Sequence, residues 1–182
     1  AALIAADKMN VVYRGVSNPM SISIPGIPNN KVNASAPGLK SVSGSKYVMN
    51  PGTGRTVTIT ASGKLPDGQT VSSRSEFRIK DIPRPAGAIR GETGSTKMPR
   101  KNLEIATVGA LLEDFDFDLN LKVSGFKFKV PGQPTVSVNG NKLDSRAKRG
   151  DAVQIFDVNA YITNNKSYKL KKVSPVVVEI TN

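Results

Sequence analysis

The stretch TVTITASGKLPDGQTVSSRSEFRIK, residues 56–80, decides the fold class. Val57, Ile59 and Ala61 alternate with Thr58 and Thr60, so one face is apolar and the other is wet. A period of two marks a half-buried strand. Leu65-Pro66-Asp67-Gly68 reads as a turn, because Pro fixes φ and Gly accepts a positive one. Residues 70–79 then form a second strand, with Val71, Phe77 and Ile79 in one register. The whole segment predicts a β-hairpin.

The same period continues toward the N-terminus. Met20, Ile22 and Ile24 alternate with Ser21 and Ser23, and residues 9–13, 32–35 and 46–49 are short strand candidates. The Ala-rich residues 1–6 read as a linker or the tail of a preceding element. Short strands at this spacing, separated by Gly and Pro turns, predict a sandwich. Ile82-Pro83-Arg84-Pro85 is the best boundary, since prolines at i and i+2 cannot sit in a central strand. The expected class is therefore all-β, with two tandem small β-sandwich (Ig-like) domains at 1–82 and 83–182. Pro83 and Pro85 would form a stiff inter-domain link; an ordinary inter-strand crossing is the alternative.

The second half is less regular. Residues 102–112 fit a short helix or a strand. Phe115, Phe117, Leu119, Leu121 and Val123 fall on odd numbers, whereas Phe126, Phe128 and Val130 fall on even ones. A slip of one residue turns every side chain to the wrong face, so Ser124-Gly125 should hold a β-bulge, unless two strands meet there in a turn. A second parity change falls between Ile155 and Phe156 in a strand over 152–162. Val136–Leu143 reads as a hairpin about Asn139-Gly140. Residues 168–173 and 176–180 complete the expected sheet, with a break or edge at Pro175.

Composition narrows function by what it lacks. The chain has 182 residues and no Cys, His or Trp. Thiol catalysis, zinc clusters and imidazole general bases are excluded. No serine has a partner at a telling spacing, so no catalytic residue, cofactor or metal site is expected and the chain reads as a non-enzyme. No window reaches the ~18 apolar residues that a spanning helix needs. The chain begins Ala1-Ala2-Leu3 and is expected to be a piece of a longer protein. The net charge of +12 is spread over both halves, and its densest run is Lys169-Leu170-Lys171-Lys172. Without a longer basic run or stacking aromatics, nucleic acid is not the expected partner.

Two charged clusters are candidate partner contacts. Asp114, Asp116 and Asp118 would share one face of a strand; a solvated face, a docking patch and an unusual calcium site all remain open. The spacing fails as an EF-hand, which needs Gly sixth and Glu twelfth where Leu119 and Gly125 stand. The basic connector Arg146-Ala147-Lys148-Arg149 is the other candidate, through Arg146, Lys148 and Arg149.

Several strings resemble one family. They are KMNVVYRGVSNP at 8–19, Tyr47 and Gly52 with the following hairpin, FRIKDIPRPAG at 77–87 and DFDFD at 114–118. Over nearly the whole chain, in order, they resemble the GldM/PorM proteins of type IX secretion and gliding motility, with PorM the expected branch. The resemblance implies a homodimeric, inner-membrane-anchored protein with a periplasmic rod, of which this would be the last two domains. It implies a proton-driven motor with a GldL/PorL-type partner, through N-terminal parts absent here. It also implies contact with an outer-membrane-associated ring of GldK/PorK and GldN/PorN type, through residues 83–182. Replacing Pro83 and Pro85 by Gly should leave both domains folded and impair secretion. A surface- or carbohydrate-binding tandem sandwich is the competing class, which a glycan array would reveal.

Overall fold

The computed structural model describes residues 3–6, 10–117, 119–143 and 150–182. The chain divides into two compact units, Ala1–Ile82 and Pro83–Asn182.

The first unit packs two sheets face to face. One orders its strands β1-β3-β6-β5, from Leu3–Ala6 (β1), Asn18–Ser23 (β3), Leu39–Ser43 (β5) and Lys46–Met49 (β6). The other orders β2-β8-β7-β4, from Val11–Tyr13 (β2), Asn33–Ser35 (β4), Thr56–Lys64 (β7) and Thr70–Lys80 (β8). The β7–β8 hairpin has the expected form: Thr56 faces Arg78 and Lys64 faces Thr70. Its turn is closed by the Gly68 amide donating to the Leu65 carbonyl at 2.9 Å, with Gly68 at φ 87°. Val57, Ile59, Ala61 and Phe77 point inward and share a core with Met20, Ile22 and Met49 of the opposite sheet and with Ile24 just beyond β3. Burial of this apolar set is what drives closure.

Leu3–Ala6 is not a linker but an edge strand, antiparallel to β3 with Ala6 opposite Met20. An edge strand needs only its backbone groups and one apolar contact, which Ile4 supplies.

In the first unit Asn18 is the single buried polar residue among the described residues, at 2% exposure. Its Oδ1 accepts from the Tyr13 amide at 2.8 Å, and its Nδ2 donates to the carbonyls of Tyr13, Val16 and Met49 at 2.9, 3.2 and 2.9 Å. One side chain thus ties β2, the following turn and β6 together.

The second unit is also a β-sandwich. A five-stranded sheet orders β11-β16-β15-β13-β14, from Ser95–Met98 (β11), Leu121–Lys129 (β13), Val136–Asn139 (β14), Ala152–Ile162 (β15) and Val176–Ile180 (β16). It faces a three-stranded sheet ordered β10-β9-β12, from Ala86–Ile89 (β9), Glu92–Thr93 (β10) and Val108–Leu111 (β12). Between them lies a core of Ile89, Leu103, Val108, Phe126, Phe128, Ile155, Val176 and Ile180, among others. The ambiguous 102–112 segment resolves into both expected states. A short helix, Arg100–Glu104 (α1), buries Leu103 and is followed directly by β12.

Three sequence expectations are overturned here. Residues 113–117 are not a strand: Asp114 takes φ 53°, which breaks the pleat, so Asp114 and Asp116 form no carboxylate ladder. Asn139-Gly140 does not close a hairpin. The Val108 amide donates to the Asn141 carbonyl at 2.7 Å and Lys142 bridges Thr107, which draws the chain away from β14. Instead β14 pairs with β13 through the turn at Pro131-Gly132. Residues 168–173 run without a ladder, leading to a parallel bridge from Ser174 to Ala86.

Candidate interaction surface

The parity change at Ser124-Gly125 is a bulge in a continuous strand. Val123 faces Ala160, yet Gly125 faces Asn159, so β13 carries one extra residue at Ser124. Gly125 faces Asn159 and Lys127 faces Phe156, so β15 carries the next extra residue. The two cancel, and Leu121↔Ile162 and Lys129↔Gln154 belong to one register. Asp157 sits in the second bulge at φ 47°. Paired bulges let both strands keep their apolar residues inward at each end while bending the sheet between.

A groove of about 560 Å³ lies at this bend. Gly125 contributes no side chain to it, and a Cβ there would stand 3.2 Å from the Val138 carbonyl oxygen. Lys127, Asn139, Asp157, Asn159 and Lys172 are among its lining residues. Asp157 accepts two cations, Lys127 Nζ at 3.5 Å and Lys172 Nζ at 3.8 Å. All three side chains are more than 40% exposed, so these bridges add little to stability, about 0–1 kcal/mol each.

The residues singled out from the sequence lie elsewhere. Asp114 and Asp116 are exposed in a turn, beside the stacked rings of Phe115 and Phe117, whose centroids are 4.9 Å apart. Glu113 accepts from the Thr93 hydroxyl at 2.5 Å. Asp118, Arg146, Lys148 and Arg149 lie outside the described residues. Among the described residues no group of three or more His, Cys, Asp or Glu is placed to hold a metal ion.

Pro83 is half-buried and Pro85 is buried. The Pro85 carbonyl accepts from the Ser174 amide at 2.9 Å, and the Gly87 amide donates to the Ser174 carbonyl at 2.8 Å. Arg84 Nε donates to the Lys172 carbonyl at 2.8 Å. Residues 84–87 are therefore stitched into the second unit, and Pro85 serves its packing as well as the junction. Pro83 is the cleaner position for testing stiffness. On the other side of the junction, Arg14 Nε donates to Asp81 at 2.9 Å and Arg14 Nη1 donates to the Gly54 carbonyl at 2.8 Å.

The groove itself was not anticipated as a site, although its signals were present. Both parity changes and the basic run ending in Lys171-Lys172 stand in the sequence. What no local pattern shows is that β13 and β15 pair, which sets the two bulges side by side.

Comparison with known proteins covers the chain in two pieces. Residues 1–80 match the family model described as the GldM third domain, and residues 83–181 match that described as the GldM C-terminal domain. No curated protein matches the chain. Among solved structures it is similar to the fibronectin(III)-like modules of Clostridium thermocellum CbhA, at 14% identity and TM-score 0.32, over 98% of this chain and 94% of that one. It is also similar to the human mucin-like protocadherin EC1-2, at 12% identity and TM-score 0.29, over 99% of this chain and 98% of that one.

Proposed function

The chain belongs to the GldM family of gliding-motility and type IX secretion components, and we propose that it is the outer-membrane-facing segment of that family's periplasmic rod. In this reading it transmits mechanical energy for protein secretion from a proton-driven inner-membrane complex to an outer-membrane-associated ring. It is periplasmic, is anchored through N-terminal parts of a longer chain, acts as a homodimer and catalyses no reaction. Its partners are ring proteins of GldK/PorK and GldN/PorN type at one end and, through those N-terminal parts, a GldL/PorL-type protein at the other. The proposal includes the PorM branch, and the identity of the co-purifying ring protein tests that detail.

The observation that carries the reading is the match of two consecutive family domains to the two compact units, with only residues 81 and 82 between the matches. Two further features support a mechanical part. Each unit closes around its own hydrophobic cluster, so each is a rigid body in its own right. The junction between them is short and carries Pro83, whose φ is fixed.

In-cell crosslinking followed by purification of the full-length protein tests the partner assignment. Recovery of the ring proteins is the expected result, and their absence, alongside glycan-array hits, would replace the motor reading with carbohydrate binding. Pro83→Gly tests the mechanical part. Since Pro83 donates no hydrogen bond and is only half-buried, both units should keep their unfolding midpoints while secretion falls several-fold. Unchanged secretion by a stably folded variant would refute the stiff junction.

A further inference from the structure

We infer that the groove over the paired bulges binds an extended, acidic polypeptide segment laid along β14. Three independent features of the groove point to this ligand class.

The first is the edge. Three of the four residues of β14, Ser137 to Asn139, line the groove. β14 pairs with β13 on one side and, among the described residues, has no strand on the other. An open edge offers backbone donors and acceptors to an added strand.

The second is charge. Lys127, Lys171 and Lys172 line the groove against one carboxylate, Asp157. That carboxylate already draws both Lys127 and Lys172, at 3.5 and 3.8 Å. Exposed bridges of this length are weak, so an incoming carboxylate can exchange for Asp157. The Asp157 side chain is in effect an internal stand-in for the ligand's acidic group.

The third is the lining. Asn139 and Asn159 flank the gap left by Gly125 and present amides suited to peptide groups. Small-molecule pockets are mostly apolar, and this one is not. Phe126 is only 2% exposed and offers no stacking face, so a single-stranded nucleic acid lacks its usual platform.

The inference rests on reading the second unit as the docking end of the rod. The probe is synthetic, so its failure would leave the crosslinking test above untouched. The full 182-residue chain is titrated against a labelled decapeptide alternating Glu with Thr or Val. A matched peptide with Lys in place of Glu and an oligonucleotide of equal charge serve as comparators, all read by fluorescence anisotropy. The Glu peptide should bind tightest, and Lys127→Glu and Lys172→Glu should each weaken it about tenfold, the scale of one lost close charge pair. Asp157→Asn should strengthen it several-fold, because it removes the internal competitor and Asn tolerates the left-handed backbone. Lys40→Glu, in the first unit, should leave affinity unchanged. Absence of Glu-peptide binding, tighter binding of the Lys peptide or the oligonucleotide, indifference to Lys172→Glu, or weaker binding by a folded Asp157→Asn would each overturn the proposal.

Discussion

Asn18→Leu should unfold the first unit under conditions in which the second stays folded. Leu matches Asn in rough size but can neither donate nor accept a hydrogen bond. The Tyr13 amide and the carbonyls of Tyr13, Val16 and Met49 would each lose one hydrogen bond. The Val16 and Met49 bonds are fully buried, whereas those to Tyr13 are partly open to water. A lost hydrogen bond costs about 0.5–1.5 kcal/mol, and more where the group it leaves is buried, so the four losses come to roughly 4 kcal/mol. Small domains of this size hold only about 5–15 kcal/mol, the lower end being usual when little surface is buried. Urea titration followed by amide NMR separates the two units, which matters in a chain without Trp. The first-unit midpoint should fall by more than half while the second-unit midpoint holds. A first-unit shift equivalent to less than 1 kcal/mol would mean that water replaces the Asn18 amide at no cost.

Asn18 also shows where sequence reading stops. Followed by Pro19, it looks like an ordinary turn residue. Its role depends on Met49, which is 31 positions away and on another strand. The strands that sequence made legible are those with an apolar pattern or bounding turns of their own: β2, β3, β4, β6, β7 and β8 in the first unit, and β13, β14, β15 and β16 in the second. β5 was not legible because its residues 40–43 are all exposed and show no alternation, Val42 being 61% exposed. The β6 ladder holds it in place, with Leu39 packed against the core at its start. β11 was missed for a different reason. It runs parallel to β16, from Ser95↔Val177 to Met98↔Ile180, and its pairing is set across more than 80 positions. The DFDFD stretch misled in the opposite direction: it alternates well, yet Asp114 leaves the extended region and ends the pattern. For the groove, each parity change was visible alone, and only the non-local pairing of β13 with β15 makes them one feature.

Gly87→Ala should be the most damaging single-methyl change in the second unit. Gly87 does not need a positive φ, so Ala suits its backbone. The damage is steric. A Cβ at Gly87 would lie 2.7 Å from the Ser174 carbonyl oxygen, closer than real Cβ atoms come to any neighbour, with Val176 at 3.6 Å and Val158 at 3.8 Å behind it. The Ser174 oxygen is backbone and is already held by the Gly87 amide at 2.8 Å, while the Ser174 amide donates to Pro85. Relief must separate the two segments and break one or both of those bonds. Overpacking costs about 1–3 kcal/mol and each lost bond about 1 kcal/mol more, giving roughly 3–4 kcal/mol together. Gly109 supplies the control within the same sheet. It sits on β12 opposite Ala88, and an added Cβ would meet nothing within 4 Å. Gly109→Ala should be neutral or stabilise the unit by about 0.4–1 kcal/mol, through reduced freedom of the unfolded chain. If the two substitutions shift the second-unit midpoint equally, the clamp between Gly87 and Ser174 does not exist in solution. If they differ as expected, the proline junction enters the second unit through a tightly fitted seam. Secretion by Gly87→Ala should then fall further than secretion by Pro83→Gly, because the seam fails along with the link.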